Sequence, residues 1–357
     1  MADEISSPSA IARLMRCPSL DASRVAIRDV GLSLRDECTR VSTIPRPFKG
    51  PVPFDPRPMW KVAWEQIRQA LRMHDRPGVL ALALAPDGEL VGHAWVASSW
   101  KHPRSIIIGR HSCCDLVLPG SFDELSLRHL AVLTRGVNKD EASITVLDLR
   151  SGLGFSDESG RLMHAVRAEG PVFLRVGSLV LALLVTEQGS SWPEDADDAY
   201  DTLPARVFFD EQAVRFAAGV CLSGSCSREN STSVTSLKGL VPTTGSLVKR
   251  GETAVGILEL ASERAMQRLS LGATALKQGV LIGRYERCDG HRVFEDADRV
   301  SRVHALLIDL GEGPLLVDTG SSNGIEVDGQ PVREVLLRPG LEVSLAKAVW
   351  LSMVEVN

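Results

Sequence analysis

Apolar residues in this chain recur mainly in short runs separated by turn-forming residues, from residue 78 onward. Runs 79–85 and 90–97 flank Pro86-Asp87-Gly88, which predicts a β-hairpin with an Asp-Gly turn. Further runs predict strands at 105–108, 130–134, 143–149, 172–176, 179–185, 254–260, 268–271, 280–282, 305–309, 315–318 and 341–356. The pattern favours a mainly β protein.

One stretch near the start has a helical period instead. In residues 58–73 the apolar positions follow the i, i+3, i+4, i+7 template and form one face: Trp60, Ala63, Trp64, Ile67, Ala70 and Leu71. Pro58 suits the first turn of a helix, where a missing N–H costs no hydrogen bond. Such a face packs either on a neighbouring sheet or on the helix of a partner, and we favour the sheet.

Two segments lack a sustained period. Residues 1–56 are rich in proline and indicate either an arm that packs on the protein or a partner, or a poorly ordered tail. Residues 189–250 begin with the acidic run 194–201 and continue into a stretch rich in Ser, Thr and Gly, which is typical of a partly flexible linker. The expected organisation is an arm (1–56), an amphipathic helix (57–75), a first β domain (76–188), the linker (189–250) and a second β domain (251–357).

Candidate chemistry is concentrated in the second β domain. Three polar blocks follow or precede its apolar runs: Gly283-Arg284, Ser301-Arg302-Val303-His304 and Ser321-Ser322-Asn323-Gly324. All three lie on predicted loops, and strand ends on one rim can bring such loops together although they are distant in sequence. Guanidinium groups, a hydroxyl and a carboxamide that converge on one point form a receptor for an oxyanion, above all phosphate.

The order and spacing of these blocks resemble the forkhead-associated (FHA) domain, a β-sandwich that binds phosphothreonine peptides. The resemblance implies that Arg284 and Ser301 contact the phosphate and that Arg302 adds positive charge. It also implies that Ser322 assists at the loop and that Asn323 binds the peptide backbone beside the phosphothreonine. Gly283, His304 and Gly324 would be structural: the glycines permit a close approach and a tight turn, and the histidine braces the loop.

A second set of blocks in the first β domain gives an internal repeat, with about 174 residues between Arg110 and Arg284. This first copy also resembles the FHA pattern but is degenerate, because Leu153 stands where Asn323 stands in the second and Leu127 replaces a cation. The retained residues leave open a weak anion site in the first copy, formed by Arg110, Ser126 and Arg128. We favour the interpretation that this first copy is a phosphate-independent interaction or scaffolding module. The fold class expected is therefore two FHA-like antiparallel β-sandwiches in tandem.

Composition narrows the class of protein further. The chain has 357 residues and a net charge of -5, which gives no support to nucleic-acid binding. No apolar run is long enough to span a bilayer, and the acidic N-terminus lacks the layout of a signal peptide, so we expect a cytoplasmic protein without membrane insertion. Seven irregularly spaced cysteines do not form a disulfide framework, and Cys221 and Cys226 have no second ligand pair at zinc-finger spacing. We expect neither a metal nor a cofactor.

The sequence contains no phosphate-binding P-loop, no His-Glu-x-x-His motif and no kinase signature, so we expect a binding protein rather than an enzyme. The interpretation is a bacterial-type adaptor or scaffold that binds a phosphothreonine-containing protein, with a Ser/Thr kinase as a further partner. The alternative is a phosphate-independent structural subunit of a larger assembly, such as a secretion or motility apparatus. The linker threonines (Thr232, Thr235, Thr243 and Thr244) raise a third option, in which a phosphorylated linker docks on Arg284 within one molecule or between two.

Overall fold

Strands form most of the regular structure in this computed structural model, which describes residues 52–97, 103–136, 143–187, 191–204, 207–209, 243–294 and 297–354. Within these residues there are three α-helices, α1 (Arg57–Met73), α2 (Ala196–Asp201) and α3 (Ala273–Gln278). None of the helices in the described ranges is long and apolar enough to cross a membrane.

The first β-sandwich consists of two six-stranded sheets. Sheet 1 has the order β2-β1-β11-β10-β7-β8 and sheet 2 the order β12-β9-β6-β5-β3-β4, where the strands are β1 (Gly78–Leu84), β2 (Leu90–Ala97), β3 (Arg104–Gly109), β4 (Leu116–Val117), β5 (Leu130–Arg135), β6 (Ser143–Asp148), β7 (Phe155–Ser156), β8 (Leu162–Met163), β9 (Ala165–Glu169), β10 (Val172–Val176), β11 (Leu179–Thr186) and β12 (Val207–Phe209). The short β3–β4 pair is parallel. The predicted hairpin is confirmed as β1 paired with β2.

The second β-sandwich consists of a seven-stranded and a four-stranded sheet. Sheet 3 has the order β13-β15-β14-β23-β22-β19-β20 and sheet 4 the order β16-β17-β18-β21, where the strands are β13 (Thr243–Leu247), β14 (Ala254–Ala261), β15 (Met266–Gly272), β16 (Val280–Ile282), β17 (Ala305–Asp309), β18 (Pro314–Asp318), β19 (Ile325–Val327), β20 (Gln330–Val332), β21 (Glu334–Leu336), β22 (Val343–Leu345) and β23 (Val349–Val354). The edge strand β13 runs parallel to β15. These sheets confirm the predicted mainly β fold with two sandwiches and a preceding helix.

Helix α1 covers the outer face of sheet 1. Its six predicted apolar positions are all buried, and Trp60 stacks on Trp64 with ring centroids 5.0 Å apart. They pack against the outward side chains of β1, β10 and β11, including Leu82 and Phe173. The preference for a sheet over a partner helix is confirmed. The burial of both faces explains why β1 is a continuous apolar run rather than an alternating one.

Part of the predicted linker forms regular structure. Asp195 caps helix α2 by accepting hydrogen bonds from the backbone N–H groups of Asp197 and Asp198. Asp197 pairs with Lys61 on α1 at 2.7 Å, so the acidic run forms part of a helix pair instead of a solvated linker. Strands β12 and β13 also lie in this segment. Most of the Ser/Thr-rich residues that are predicted to be flexible, including Thr232 and Thr235, lie outside the described residues.

The two sandwiches pack face to face through sheets 2 and 4. A buried apolar cluster, here called the inter-sandwich core, joins residues of the first sandwich to residues of the second: Ile107, Cys114, Ala131, Leu133, Leu147, Leu149 and Ala165 on one side, and Leu281, Cys288, Val303, Leu306, Ile308, Leu315 and Val317 on the other. Each sandwich keeps its own separate core. The layers therefore run from helices α1 and α2 through sheets 1, 2, 4 and 3.

Candidate functional site

Three loops meet at one end of the second sandwich. They follow β16, precede β17 and join β18 to β19, and we call residues 283–285, 298–304 and 319–324 the rim. The backbone N–H of Arg284 donates to the Ser301 carbonyl at 3.2 Å, and the N–H of Ser322 donates to Ser301 Oγ at 3.1 Å. Asn323 Nδ2 donates to the Arg299 carbonyl at 2.6 Å. The structure thus brings Arg284, Ser301, Ser322 and Asn323 onto the same rim.

Gly283 allows the first two loops to approach closely. A Cβ at this position would collide with the carbonyl of Arg302. That carbonyl is held in place because it accepts a hydrogen bond from the N–H of Tyr285 at 2.9 Å. A glycine is therefore needed where the chain leaves β16, immediately before Arg284.

The Arg284 side chain is fixed at its base and accessible at its end. Its Nε donates to the Val300 carbonyl at 2.6 Å, which is a contact within the rim. Its Nη1 lies 3.3 Å from a carboxylate oxygen of Asp298, whose side chain is 97% exposed. Because this partner is a solvated surface group, it is the kind of ion pair that an incoming anion can replace at small cost.

His304 braces the rim from below. Ser301 N–H donates to its Nδ1 at 3.0 Å, so the ring proton resides on Nε2, which then donates to the Gly324 carbonyl at 3.0 Å. Burial lowers the pKa of His304 below its ordinary value and keeps the ring neutral at pH 7. The neutral ring joins the loop of Ser301 to the loop of Gly324, which is the bracing role that the resemblance implies.

The loop after β18 is organised by Asp318, which the sequence patterns did not single out, and by Ser321, to which they gave no role. The Asp318 carboxylate accepts from the N–H of Ser321 at 2.7 Å, and Ser321 Oγ accepts from the N–H of Gly324 at 2.9 Å. Ser321 is buried, whereas Ser322 and Asn323 are exposed at the tip. The spacing Asp-x-x-Ser is the sequence signal that could have identified this turn.

Arg302 lies beside these groups on the rim. Its side chain is exposed and makes no hydrogen bond or ion pair to any residue the structure describes. The exposed groups of the rim are therefore two guanidinium groups, a serine hydroxyl and a carboxamide, together with the Asp298 carboxylate. This combination is suited to an anionic ligand that also offers hydrogen-bonding groups.

The first sandwich has a matching set of backbone contacts. Arg110 Nε donates to the Leu125 carbonyl at 2.5 Å, as Arg284 does to Val300. The N–H of Ser126 donates to His129 Nδ1 at 3.0 Å, the same distance as in the second sandwich. The two sandwiches therefore share the local frame around the arginine and the histidine.

The exposed groups at the corresponding end of the first sandwich are different. Leu127 is 47% exposed and Leu153 is 37% exposed, at the positions of Arg302 and Asn323. Arg128 turns away to the second sandwich, where it donates to the carbonyls of Thr319 and Gly320. An anion site made of Arg110, Ser126 and Arg128 does not fit this arrangement, because the donors of Arg128 are engaged by another domain.

Metal and thiol chemistry find little support in the described residues. No group of three or more His, Cys, Asp or Glu side chains within them is placed to hold a metal ion. Burial raises the pKa of Cys114 to about 11 and that of Cys288 to about 12, so neither is a reactive thiolate. The Cys221 and Cys226 pair lies outside the described ranges.

Comparisons with known proteins agree with the location of the rim. The family model described as "FHA domain" matches residues 280–346 and does not extend to the first sandwich. FHA domains are interaction modules rather than enzymes. The comparison with curated proteins found no match.

Several solved structures are similar to parts of this chain. The Slr1951 protein of Synechocystis sp. is 24% identical, with 29% of this chain and 99% of that chain covered and a TM-score of 0.25. The first FHA domain of Rv1747 from Mycobacterium tuberculosis is 22% identical, covering 29% and 100%, with a TM-score of 0.24. Mycobacterium tuberculosis EmbR, solved in complex with a low-affinity phosphopeptide, is 24% identical, covering 30% and 27%, with a TM-score of 0.24.

Proposed function

We propose that this protein is an adaptor that binds phosphothreonine peptides through the rim of its second sandwich, in signalling or assembly that depends on a Ser/Thr kinase in the cytoplasm. The observation that carries the proposal is the convergence of Arg284, Ser301, Ser322 and Asn323 on one rim. The family match over residues 280–346 supports it, because that segment includes all three loops.

Each rim residue has a role in this proposal. Arg284 offers its Nη groups to the phosphate, and Ser301 and Ser322 offer hydroxyl groups. Arg302 adds positive charge, and Asn323 exchanges its bond to Arg299 for one to the peptide backbone. Charge-assisted hydrogen bonds of this kind contribute about 1.5–3 kcal/mol each. Gly283, His304 and Gly324 keep the loops in position without touching the ligand.

The first sandwich is, in our proposal, a degenerate FHA copy that has become a phosphate-independent module. Its frame of hydrogen bonds matches that of the second copy, which supports a common origin by duplication. Its exposed leucines replace the groups that would bind a phosphopeptide. The same leucines favour the second candidate function, a structural subunit that contacts its partners without phosphate.

A phosphopeptide-binding assay with Arg284→Ala tests the proposal. The wild-type protein is first presented with a library of phosphothreonine peptides, and the best binder is then measured by fluorescence anisotropy. Arg284→Ala removes the forked donor, so we expect binding about 10- to 100-fold weaker. Arg338→Ala is the matched control, since it removes an equal charge from an exposed site of the same sandwich.

The outcomes separate the two candidate functions. The unphosphorylated peptide should bind far more weakly than the phosphorylated one, because the rim cations would have no anion to pair with. Equal binding by Arg284→Ala and the parent protein would refute the assignment. A stable complex that survives phosphatase treatment would favour the structural subunit.

A further inference from the structure

Arg128 of the first sandwich contacts the backbone of the loop that ends in Asn323. Its Nε donates to the Thr319 carbonyl at 3.1 Å and to the Gly320 carbonyl at 3.0 Å, and its Nη2 donates to the same Gly320 carbonyl at 2.5 Å. The side chain is half-buried between the sandwiches. These are charge-assisted bonds to neighbouring carbonyls of one turn, which fix that turn more tightly than a single contact would.

A second contact from the first sandwich supports the same turn. Gly320 has φ +72° and lies against the backbone of Cys113, whose carbonyl is 2.7 Å from the position of a Cβ. The other end of the turn is held within the second sandwich, where Thr319 Oγ1 donates to the Val303 carbonyl at 3.1 Å. Residues 319–320 are thus held between the two sandwiches, directly before Ser321, Ser322 and Asn323.

We propose that Arg128 is a positioning residue for peptide binding, so that the first sandwich completes the binding site of the second. The inference rests on the proposed function of the rim. Arg128 does not touch the ligand; it sets the loop from which Ser322 and Asn323 reach the peptide.

The proposal predicts which part of recognition depends on Arg128. Arg284 is held by the Val300 carbonyl, and Ser301 is held by His304, and both contacts lie within the second sandwich. Among the three loops of the rim, Arg128 forms hydrogen bonds only with the loop of Ser322 and Asn323. Its loss should therefore weaken binding of the peptide chain more than binding of the phosphate, for which Arg284 and Ser301 keep their own supports.

The experiment compares Arg128→Ala, Arg128→Lys and Arg135→Ala in the full chain. Arg135 is the matched control because it also bridges the sandwiches, to the Leu310 carbonyl and to Glu312 at 2.9 Å, but contacts a loop outside the rim. Two probes are used: the phosphothreonine peptide selected above, and free O-phosphothreonine followed by NMR. Amide resonances of residues 320–324 are recorded in the unbound proteins.

We expect Arg128→Ala to bind the peptide about five- to tenfold more weakly, and Arg135→Ala to bind within about twofold of the parent protein. Arg128→Lys should be intermediate, since an ammonium keeps the charge but loses the fork. Binding of O-phosphothreonine should weaken less than peptide binding does, because Arg284 and Ser301 keep their own supports and only Ser322 lies on the loop that Arg128 holds. The amide signals of residues 320–324 should move in Arg128→Ala and stay in place in Arg135→Ala.

Two results would overturn the inference. One is equal peptide affinity and equal amide shifts in Arg128→Ala and Arg135→Ala. The other is a parallel loss of peptide and O-phosphothreonine binding in Arg128→Ala, which would indicate general damage to the rim. Both are distinguishable from failure of the proposed function, in which Arg284→Ala itself would leave peptide binding intact.

Discussion

At the scale of single residues, the rim contains guanidinium groups that suit an anionic ligand and one carboxylate that competes with such a ligand for them. Asp298 pairs with Arg284 while remaining almost fully solvated. Exposed pairs of this kind stabilise a protein little, so the acid adds little to the fold. It does place a negative charge where the proposed phosphate would bind, and it therefore opposes binding by repulsion as well as by occupying Nη1.

The Asp298→Asn variant tests this competition. Removing the charge should strengthen phosphothreonine-peptide binding about two- to fivefold, because the opposing interaction is that of an exposed ion pair. Glu342→Gln provides the control, as it neutralises an exposed carboxylate of the same sandwich outside the rim. The measurement is anisotropy at two salt concentrations, and the gain should shrink at higher salt. Weaker binding by Asp298→Asn would show that the acid assists the ligand instead.

The resemblance of the three polar blocks to the FHA pattern, rather than residue spacing alone, selected Arg284, Ser301, Ser322 and Asn323. It could not reveal the role of Arg128. In the sequence this residue follows Leu127, which stands at the position of Arg302, and it resembles a displaced phosphate-binding cation. Its partners are about 190 positions away, on another domain. A contact of that kind depends on how two domains pack, and a local sequence pattern carries no information about that packing.

At the scale of elements, the helix α1 was the most predictable part of the fold, since its period defines a single apolar face. Helix α2 was not predictable, because its acidic sequence has few apolar positions. It is stabilised by its cap and by contacts with α1: Ala199 is buried, and the Trp60 indole N–H donates to the Ala196 carbonyl at 2.9 Å. Tertiary contacts therefore decided the structure of a segment that resembles a linker.

A Trp60→Ala variant should lower the free energy of unfolding by about 3–5 kcal/mol, as expected for truncation of a fully buried tryptophan. The variant also removes the hydrogen bond from the indole to the Ala196 carbonyl, which loosens α2. Gln69→Ala, on the exposed face of the same helix, should change stability by less than about 0.5 kcal/mol. Urea denaturation followed by circular dichroism gives both values. A similar loss in the two variants would argue against α1 as part of the first sandwich.

At the scale of the whole molecule, the packing of the two sandwiches explains why one predicted strand is apolar at consecutive positions. Strands of an antiparallel sandwich normally alternate, with polar residues on the solvent side. Ile106-Ile107-Ile108 does not alternate, because Ile106 and Ile108 belong to the core of the first sandwich and Ile107 to the inter-sandwich core. The loss of apolar and polar alternation was thus the available signal that both faces of this strand are covered. The sequence pattern does not identify what covers the outer face.

The inter-sandwich core should make the two sandwiches unfold together, and Ile107→Glu tests this. A carboxylate at this fully buried position would have no partner and would separate sheets 2 and 4, while each sandwich would keep its own core. Calorimetry should therefore show one transition for the parent protein and two for the variant. Leu162→Glu, at an exposed site of the first sandwich, should retain one transition. Two transitions in the parent protein would mean that the sandwiches are energetically independent. Arg128 would then influence the rim only through its own hydrogen bonds.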